Sequence, residues 1–160
     1  MEYVRGKSLG EYLRNGKHFS INEIVKYGME ISEVFSYFHS RKPPVYYGDL
    51  KPDNLMLGEN GRLYLIDLGG AVNGYKYHHK ECTGTAGFAA PEQYEGKINA
   101  ATDIYTFGKT LSALCGKTEY LLFIRNMPLF WLIFRCCMKK PEMRYQNMKT
   151  VQKKLSRIQK

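Results

Sequence analysis

No apolar run in this chain is long enough to cross a membrane. The most apolar stretch, residues 126–134, holds nine residues between Arg125 and Arg135, against the roughly 20 that a spanning helix needs. Cysteine is scarce, and the four present, Cys82, Cys115, Cys136 and Cys137, form no Cys-x-x-Cys pair. That argues against a zinc framework or a disulfide scaffold and for a reducing, cytoplasmic setting. Charges at Glu2, Arg5 and Lys7 leave no apolar segment for a secretory signal at the N-terminus. No internal repeat or low-complexity run is present. Acidic residues are few, 15 against 24 Lys and Arg, a balance of +9. That surplus is local: residues 139–160 hold eight cations and one anion, so they carry +7 and the rest of the chain about +2. A cationic tail of this kind reads as a solvated outer face and excludes no ordinary globular role.

What is there suits one globular domain. With 44% hydrophobic and 24% charged residues over 160 positions, the chain can bury a core. Ser8-Leu9-Gly10-Glu11 has capping-box form and predicts a short helix closed by Asn15-Gly16. Ser20-Ile21-Asn22-Glu23 is a second capping box. After it Ile21, Val25, Gly28, Ser32, Phe35 and His39 recur at helical spacing, which predicts about five turns ending before Pro43-Pro44. Leu55-Met56-Leu57 and Leu63-Tyr64-Leu65-Ile66 flank Gly58-Glu59-Asn60-Gly61, a hairpin signal. The aperiodic stretch from Gly69 to Gly87 reads as a long loop, and loops of that length in a compact domain are usually functional. Helices are expected again near residues 102–114, 127–138 and 147–158, the last with Met148, Val151, Leu155 and Ile158 on one face. The expected class is mainly α with a small β-hairpin, α+β.

The chemistry concentrates between Tyr46 and Asp67. Phosphoryl transfer from ATP needs a carboxylate to accept a hydroxyl proton, a cation beside the γ-phosphate and hard oxygen ligands for Mg²⁺. Asp49, Lys51, Asn54 and Asp67 supply one of each kind, Asn54 and Asp67 as the oxygen ligands. A hairpin between Asn54 and Asp67 would bring both to one mouth. On composition alone, Asp, Lys and Asn are also ordinary turn residues, so spacing has to decide. Asp49-Leu50, three residues and Asn54, then Asp67-Leu68-Gly69, then Ala90-Pro91-Glu92 follow the order and gaps of the protein-kinase signature.

On these motifs the sequence resembles the protein-kinase catalytic domain of the Ser/Thr type, from Met1 to about Ile158. The resemblance implies the kinase-like C-terminal lobe as a single domain, with a hinge at 1–7, a catalytic loop at 47–54, an activation segment at 67–92 and C-terminal helices at 99–160. It implies ATP and Mg²⁺ as cofactors and a protein bearing Ser or Thr as substrate. Asp49 would be the catalytic base and Lys51 would neutralise the γ-phosphate. Asn54 and Asp67 would bind Mg²⁺. Glu2 and Val4 would sit at the adenine hinge, and Met56 would floor the adenine pocket. Thr85, within Gly84-Thr85-Ala86-Gly87-Phe88-Ala89-Ala90-Pro91-Glu92, would contact the catalytic loop. Asp103 would tie down the catalytic-loop backbone, and Glu92 would form a buried ion pair with Arg144.

The sequence departs from the pattern in three places. Tyr47 and Gly48 stand where the family has His and Arg, so a phosphate on the activation loop loses its usual receiver, with Thr83 and Thr85 still available as sites. Leu68 replaces Phe, an apolar exchange. No G-x-G-x-x-G and no V-A-I-K occurs, so the resemblance implies the large lobe without the smaller one. The expectation is weak or absent ATP turnover by this chain alone, an apolar patch left open around Met1–Val4 and the hairpin, and a separate N-lobe or regulatory protein as a partner. Two readings stay open: the C-lobe of an active Ser/Thr kinase, and a non-catalytic kinase-like interaction module.

Other motifs are set aside. Tyr47-Gly48-Asp49 is similar to the H-G-D of aminoglycoside and choline kinases, but those lack the segment from Gly84 to Glu92. Three Gly-Lys-Ser/Thr triplets, at Gly6, Gly108 and Gly116, lack the glycine a P-loop requires five residues earlier. His78-His79 reads as solvated loop and Cys136-Cys137 as core packing. The scattered tyrosines make no base-stacking platform, so no nucleic acid is expected.

Overall fold

The computed structural model describes residues 4–74, 84–116 and 128–158. Strand β1 (Gly6–Ser8) leads directly into helix α1 (Leu9–Arg14). Ser8 caps that helix, its hydroxyl accepting from the Glu11 amide at 3.0 Å. Glu11 does not complete the box; it lies 3.4 Å from Lys7 instead. Helix α2 (Ile21–Ser40) has the full reciprocal box: Ser20 and Glu23 each bond the other's backbone amide. Strands β2 (Val45–Tyr46), β3 (Leu55–Gly58), β4 (Leu63–Leu65) and β5 (Val72–Asn73) follow. Three helices complete the described fold: α3 (Ala100–Cys115), α4 (Pro128–Cys137) and α5 (Met148–Leu155).

The hairpin forms in the expected place, Leu55 opposite Leu65 and Leu57 opposite Leu63. It is not alone. β1 pairs antiparallel with β3, giving a three-stranded sheet in the order β1-β3-β4, and β2 pairs with β5 in a second sheet. Strands of two or three residues carry no readable period, so sequence pattern could not announce them.

Helix α2 is the scaffold. Ile24, Val25, Ile31 and Phe35 are buried on one face, against α5 and α3. Met148, Val151 and Leu155 of α5 supply the opposing side chains, the apolar stripe expected there, with Ile158 partly buried beside it. Cys137 is buried in α4 while Cys136 is half-buried, so only one of the pair is core. Of the expected open patch around Met1–Val4 and the hairpin, Met1–Tyr3 lie outside the described residues, and the hairpin is only partly covered. Leu55 is buried, and Met56, Leu57, Leu63, Tyr64, Leu65 and Ile66 are half-buried, because the hairpin lies across α2 and β1 covers its free edge. No helix among the described residues is long and apolar enough to cross a membrane.

Candidate active site

The loop from Tyr47 to Asn54 is held from below by α3. Asp103, in the first turn of α3 and fully buried, accepts from the Gly48 amide at 2.7 Å and the Tyr47 amide at 3.1 Å. Its Oδ2 also meets His39 Nε2 at 2.8 Å. The carboxylate sits at the positive end of the helix dipole, which favours an anion there. Two turns further along α3, Thr110 Oγ1 lies 3.0 Å from the Leu50 carbonyl. The loop is thus gripped by its amides before Asp49 and by a carbonyl after it.

Asp49 has donors on both carboxylate oxygens. Oδ1 accepts from the Thr85 amide at 2.9 Å and the Thr85 hydroxyl at 2.6 Å; Oδ2 accepts from Lys51 Nζ at 3.0 Å. Lys51 Nζ also reaches the Thr85 hydroxyl at 2.7 Å. Asn54 Nδ2 donates to the Asp49 carbonyl at 2.9 Å, which turns the amide back over the loop. Thr85 stands 34 positions from Lys51 and 36 from Asp49, and joins the set from the far end of the long loop. Asp49 and Lys51 keep about a fifth of their side-chain surface in contact with solvent, 20% and 22%, so a reacting group can approach them.

Asp67 is exposed and left-handed, φ 56°, with Oδ1 turned to the Gly69 amide at 3.3 Å. The Ile66 amide donates to the Asn54 carbonyl at 3.0 Å, so the residues ending the two arms of the hairpin are bonded to each other. The hydrogen bonds Asn54 donates to Asp49 use Nδ2, so its amide oxygen is the atom that would be left for a metal ion. One neutral oxygen, one carboxylate and solvent on the open side suit Mg²⁺, which keeps several waters and takes one or two carboxylates plus substrate phosphates. Among the described residues there is no cluster of three or more His, Cys, Asp or Glu for a metal held by protein alone.

Val4 is half-buried before β1. Met56 lies on β3 opposite Ser8 and Tyr64, so the strand that overlaps the end of the expected hinge and the expected adenine floor share a sheet. Glu2 and Thr83 lie outside the described residues, as do His78 and His79. Glu92 and Arg144 make the expected buried pair. Nη1 and Nη2 of Arg144 reach the two carboxylate oxygens at 2.5 and 3.0 Å, and Thr102 Oγ1 donates to the same carboxylate at 3.2 Å. Burial alone would raise the Glu92 pKa, but the hydrogen bonds and charge of Arg144 outweigh it and hold the carboxyl below its ordinary value.

Besides His39–Asp103 and Thr110–Leu50, three further contacts of the site were not legible beforehand. The Tyr47 hydroxyl donates to the Ile66 carbonyl at 2.7 Å, bracing the residue before Asp67, and burial pushes this phenol well above its ordinary pKa. Arg14 of α1 bonds the Asp53 carboxylate at 2.5 Å on an exposed face. Gln93, 1% exposed, donates to the Gly48 carbonyl at 2.8 Å. Each joins segments far apart in the chain, and no local pattern encodes it.

The family profile described as the protein kinase domain matches residues 1–159. The chain belongs to the protein kinase family. Among its relatives is the serine/threonine-protein kinase PknG of Mycolicibacterium smegmatis, 42% identical over 71% of this chain and 14% of that protein. The serine/threonine-protein kinase WNK of Caenorhabditis elegans is 35% identical over 69% of this chain and 6% of that protein. This kinase chain therefore spans a small fraction of the curated relatives it matches. By family it is a transferase, and the mainly helical fold with small antiparallel sheets accords with that membership.

Proposed function

We propose that the chain is the catalytic lobe of a serine/threonine protein kinase, transferring the γ-phosphoryl group of ATP to the hydroxyl of a Ser or Thr in a protein. The observation that carries this reading is the bonded set Asp49–Lys51–Thr85–Asn54, solvent-accessible and adjoining the hairpin mouth that ends at Asp67. A carboxylate with charged and hydroxyl donors around it is fixed in direction before a substrate arrives, and kinase catalysis rests on positioning and electrostatics.

Asp49 acts as the base. It accepts the hydroxyl proton as the substrate oxygen bonds to the γ-phosphorus and the bond to the β,γ-bridging oxygen breaks, releasing ADP. Lys51, which bridges Asp49 and Thr85, neutralises charge on the transferred group. Asn54 and Asp67 hold Mg²⁺, which when bound offsets the negative charge of the phosphates. Val4 and Met56 line the adenine side. Asp103, Glu92 and Arg144 keep the loop and the segment from Gly84 to Glu92 in place. The glycine-rich loop and third-strand lysine of the family are not among these 160 residues, so nucleotide affinity of the chain by itself is weak. A cytoplasmic setting accords with ATP as substrate and with the free thiols of Cys136 and Cys137.

The test is transfer of labelled phosphate from Mg²⁺-ATP to a generic Ser/Thr protein substrate, beside nucleotide binding by calorimetry. Transfer that disappears in Asp49→Asn supports the reading. No measurable nucleotide binding and no transfer by the folded chain would sink it in favour of a non-catalytic kinase-like module.

A further inference from the structure

Asp49 and Thr85 meet across 36 residues of sequence, and their hydroxyl–carboxylate contact is short, 2.6 Å. Something must fix the two backbone segments in register. Asp103 and Thr110 hold the Asp49 side, and their side-chain hydrogen bonds go to His39, Tyr47, Gly48, Leu50 and Thr106 rather than to the segment that carries Thr85. The residues immediately before the two partners are Gly48 and Gly84. Both lie against one side chain, the amide of Gln93. Its Nε2 donates to the Gly48 carbonyl at 2.8 Å. A Cβ placed on Gly84 would come within 2.9 Å of the same nitrogen, and one on Gly48 within 3.6 Å.

The other end of the amide is also spent. Gln93 Oε1 accepts from the Ala90 amide at 2.8 Å, and the Gln93 backbone N–H donates to the Ala90 carbonyl at 2.9 Å. Gln93 is 1% exposed, so water does not compete for either end. A primary amide of this length donates to a carbonyl and accepts from an amide at once. An ionised carboxylate only accepts, and an apolar side chain does neither. Leaving the Gly48 carbonyl or the Ala90 amide unpaired in a buried place is costly, so the bonded arrangement is strongly preferred.

We infer that Gln93 is a positioning residue for the candidate active site: its buried amide locks the turn at Ala90–Gln93 to the Gly48 carbonyl and so sets the contact between Thr85 and Asp49. This deepens the kinase reading and rests on it for its catalytic meaning. Gln93 touches no reacting group; it acts through the residues that precede Asp49 and Thr85. The effect needs no phosphate on the activation loop, because the lock is made of neutral groups.

The experiment reads the Thr85 amide directly, by hydrogen exchange and its proton shift in the intact chain, with core amides of α2 as the reference for global stability. In Gln93→Met the Thr85 amide should exchange roughly tenfold faster relative to the α2 amides, the size a lost hydrogen bond produces. Gln93→Glu separates hydrogen bonding from packing. At about pH 5 a buried carboxyl stays protonated, its hydroxyl donating to Gly48 and its carbonyl accepting from Ala90, and Thr85 should match the parent at the same pH. As pH rises and the group ionises, that match should be lost. The groups around it, Gly48, Gly84 and Ala90, do not titrate; Asp49 follows Gly48 in the chain and Glu92 precedes the substituted position.

Unchanged Thr85 exchange in a folded Gln93→Met chain would overturn the inference. So would Gln93→Glu behaving alike at every pH, and that variant decides alone if Gln93→Met does not fold. Where turnover is measurable, Gln93→Met should lower kcat with KM for ATP unchanged. A parent chain that neither binds nucleotide nor transfers phosphate sinks the kinase reading, whereas the exchange result bears on Gln93 whatever the turnover.

Discussion

The Thr85 hydroxyl donates to Asp49 Oδ1 at 2.6 Å and receives Lys51 Nζ at 2.7 Å. One hydroxyl therefore links the candidate base to the candidate cation. Thr85→Val removes the link and keeps the branched shape. Transfer should fall about tenfold, the scale of one charge-assisted hydrogen bond, while Thr85→Ser, which keeps the hydroxyl, should stay near the parent. Steady-state phosphate transfer on the two variants checks this, and equal loss in both would assign Thr85 to packing.

Asp49→Asn preserves the size of the side chain and can still accept hydrogen bonds, yet it cannot take a proton. Losing a positioned general base lowers the rate by about 10²–10⁴-fold. The expected result is that loss with a thermal midpoint close to the parent's, measured by phosphate transfer and by circular dichroism on the same preparation. Transfer at the parent's rate would remove Asp49 from the base role.

Gly48 stands in the left-handed region, φ 74°, and a Cβ there would meet Ile98 at 3.3 Å. Any L side chain at this position carries the left-handed penalty of about 1–2 kcal/mol and must also displace Ile98. Gly16 has a similar φ, 79°, but a Cβ there would have nothing within 4 Å. Gly48→Ala should therefore lose more stability than Gly16→Ala in urea unfolding. Equal losses would show that the Ile98 contact is without consequence.

The parts of this fold that were legible in advance are those whose signal is local. Ser20 and Glu23 stand three residues apart, and their reciprocal bonds follow from that spacing alone. Asn60-Gly61 between two apolar runs specifies a hairpin because few other residues fit the turn. The set Asp49, Lys51, Asn54 and Asp67 was found through the order of motifs along the chain, and Thr85 and Asp103 through segments of the same pattern. What escaped were contacts made by tertiary approach. His39 reaches Asp103 across 64 residues and Gln93 reaches Gly48 across 45. Strands β2 and β5 exist only because each finds the other. Nothing in their few residues distinguishes them from loop.

Glu92 and Arg144 face each other with 7% and 0% of their side chains exposed. Arg144 also donates to the Lys139 and Ala101 carbonyls and lies 4.7 Å from the Tyr105 ring centre, so it joins α3 to the turn after α4. Removing one partner leaves a buried charge unpaired, and Arg144→Ala should cost about 3–5 kcal/mol, read from the unfolding midpoint in denaturant. The pair also sets an acid limit. Burial opposes ionisation of Glu92, but Arg144 prevails and holds its folded pKa below the ordinary 4.5. The folded state thus binds fewer protons than the unfolded state in this range. The pair's contribution is complete above about pH 4.5 and declines as pH falls through the folded pKa. Thermal unfolding from pH 7 to pH 3 should show the parent losing stability below that value more steeply than Glu92→Gln, whose amide does not titrate. Parallel curves for the two would mean that the Glu92 carboxylate adds nothing to acid sensitivity.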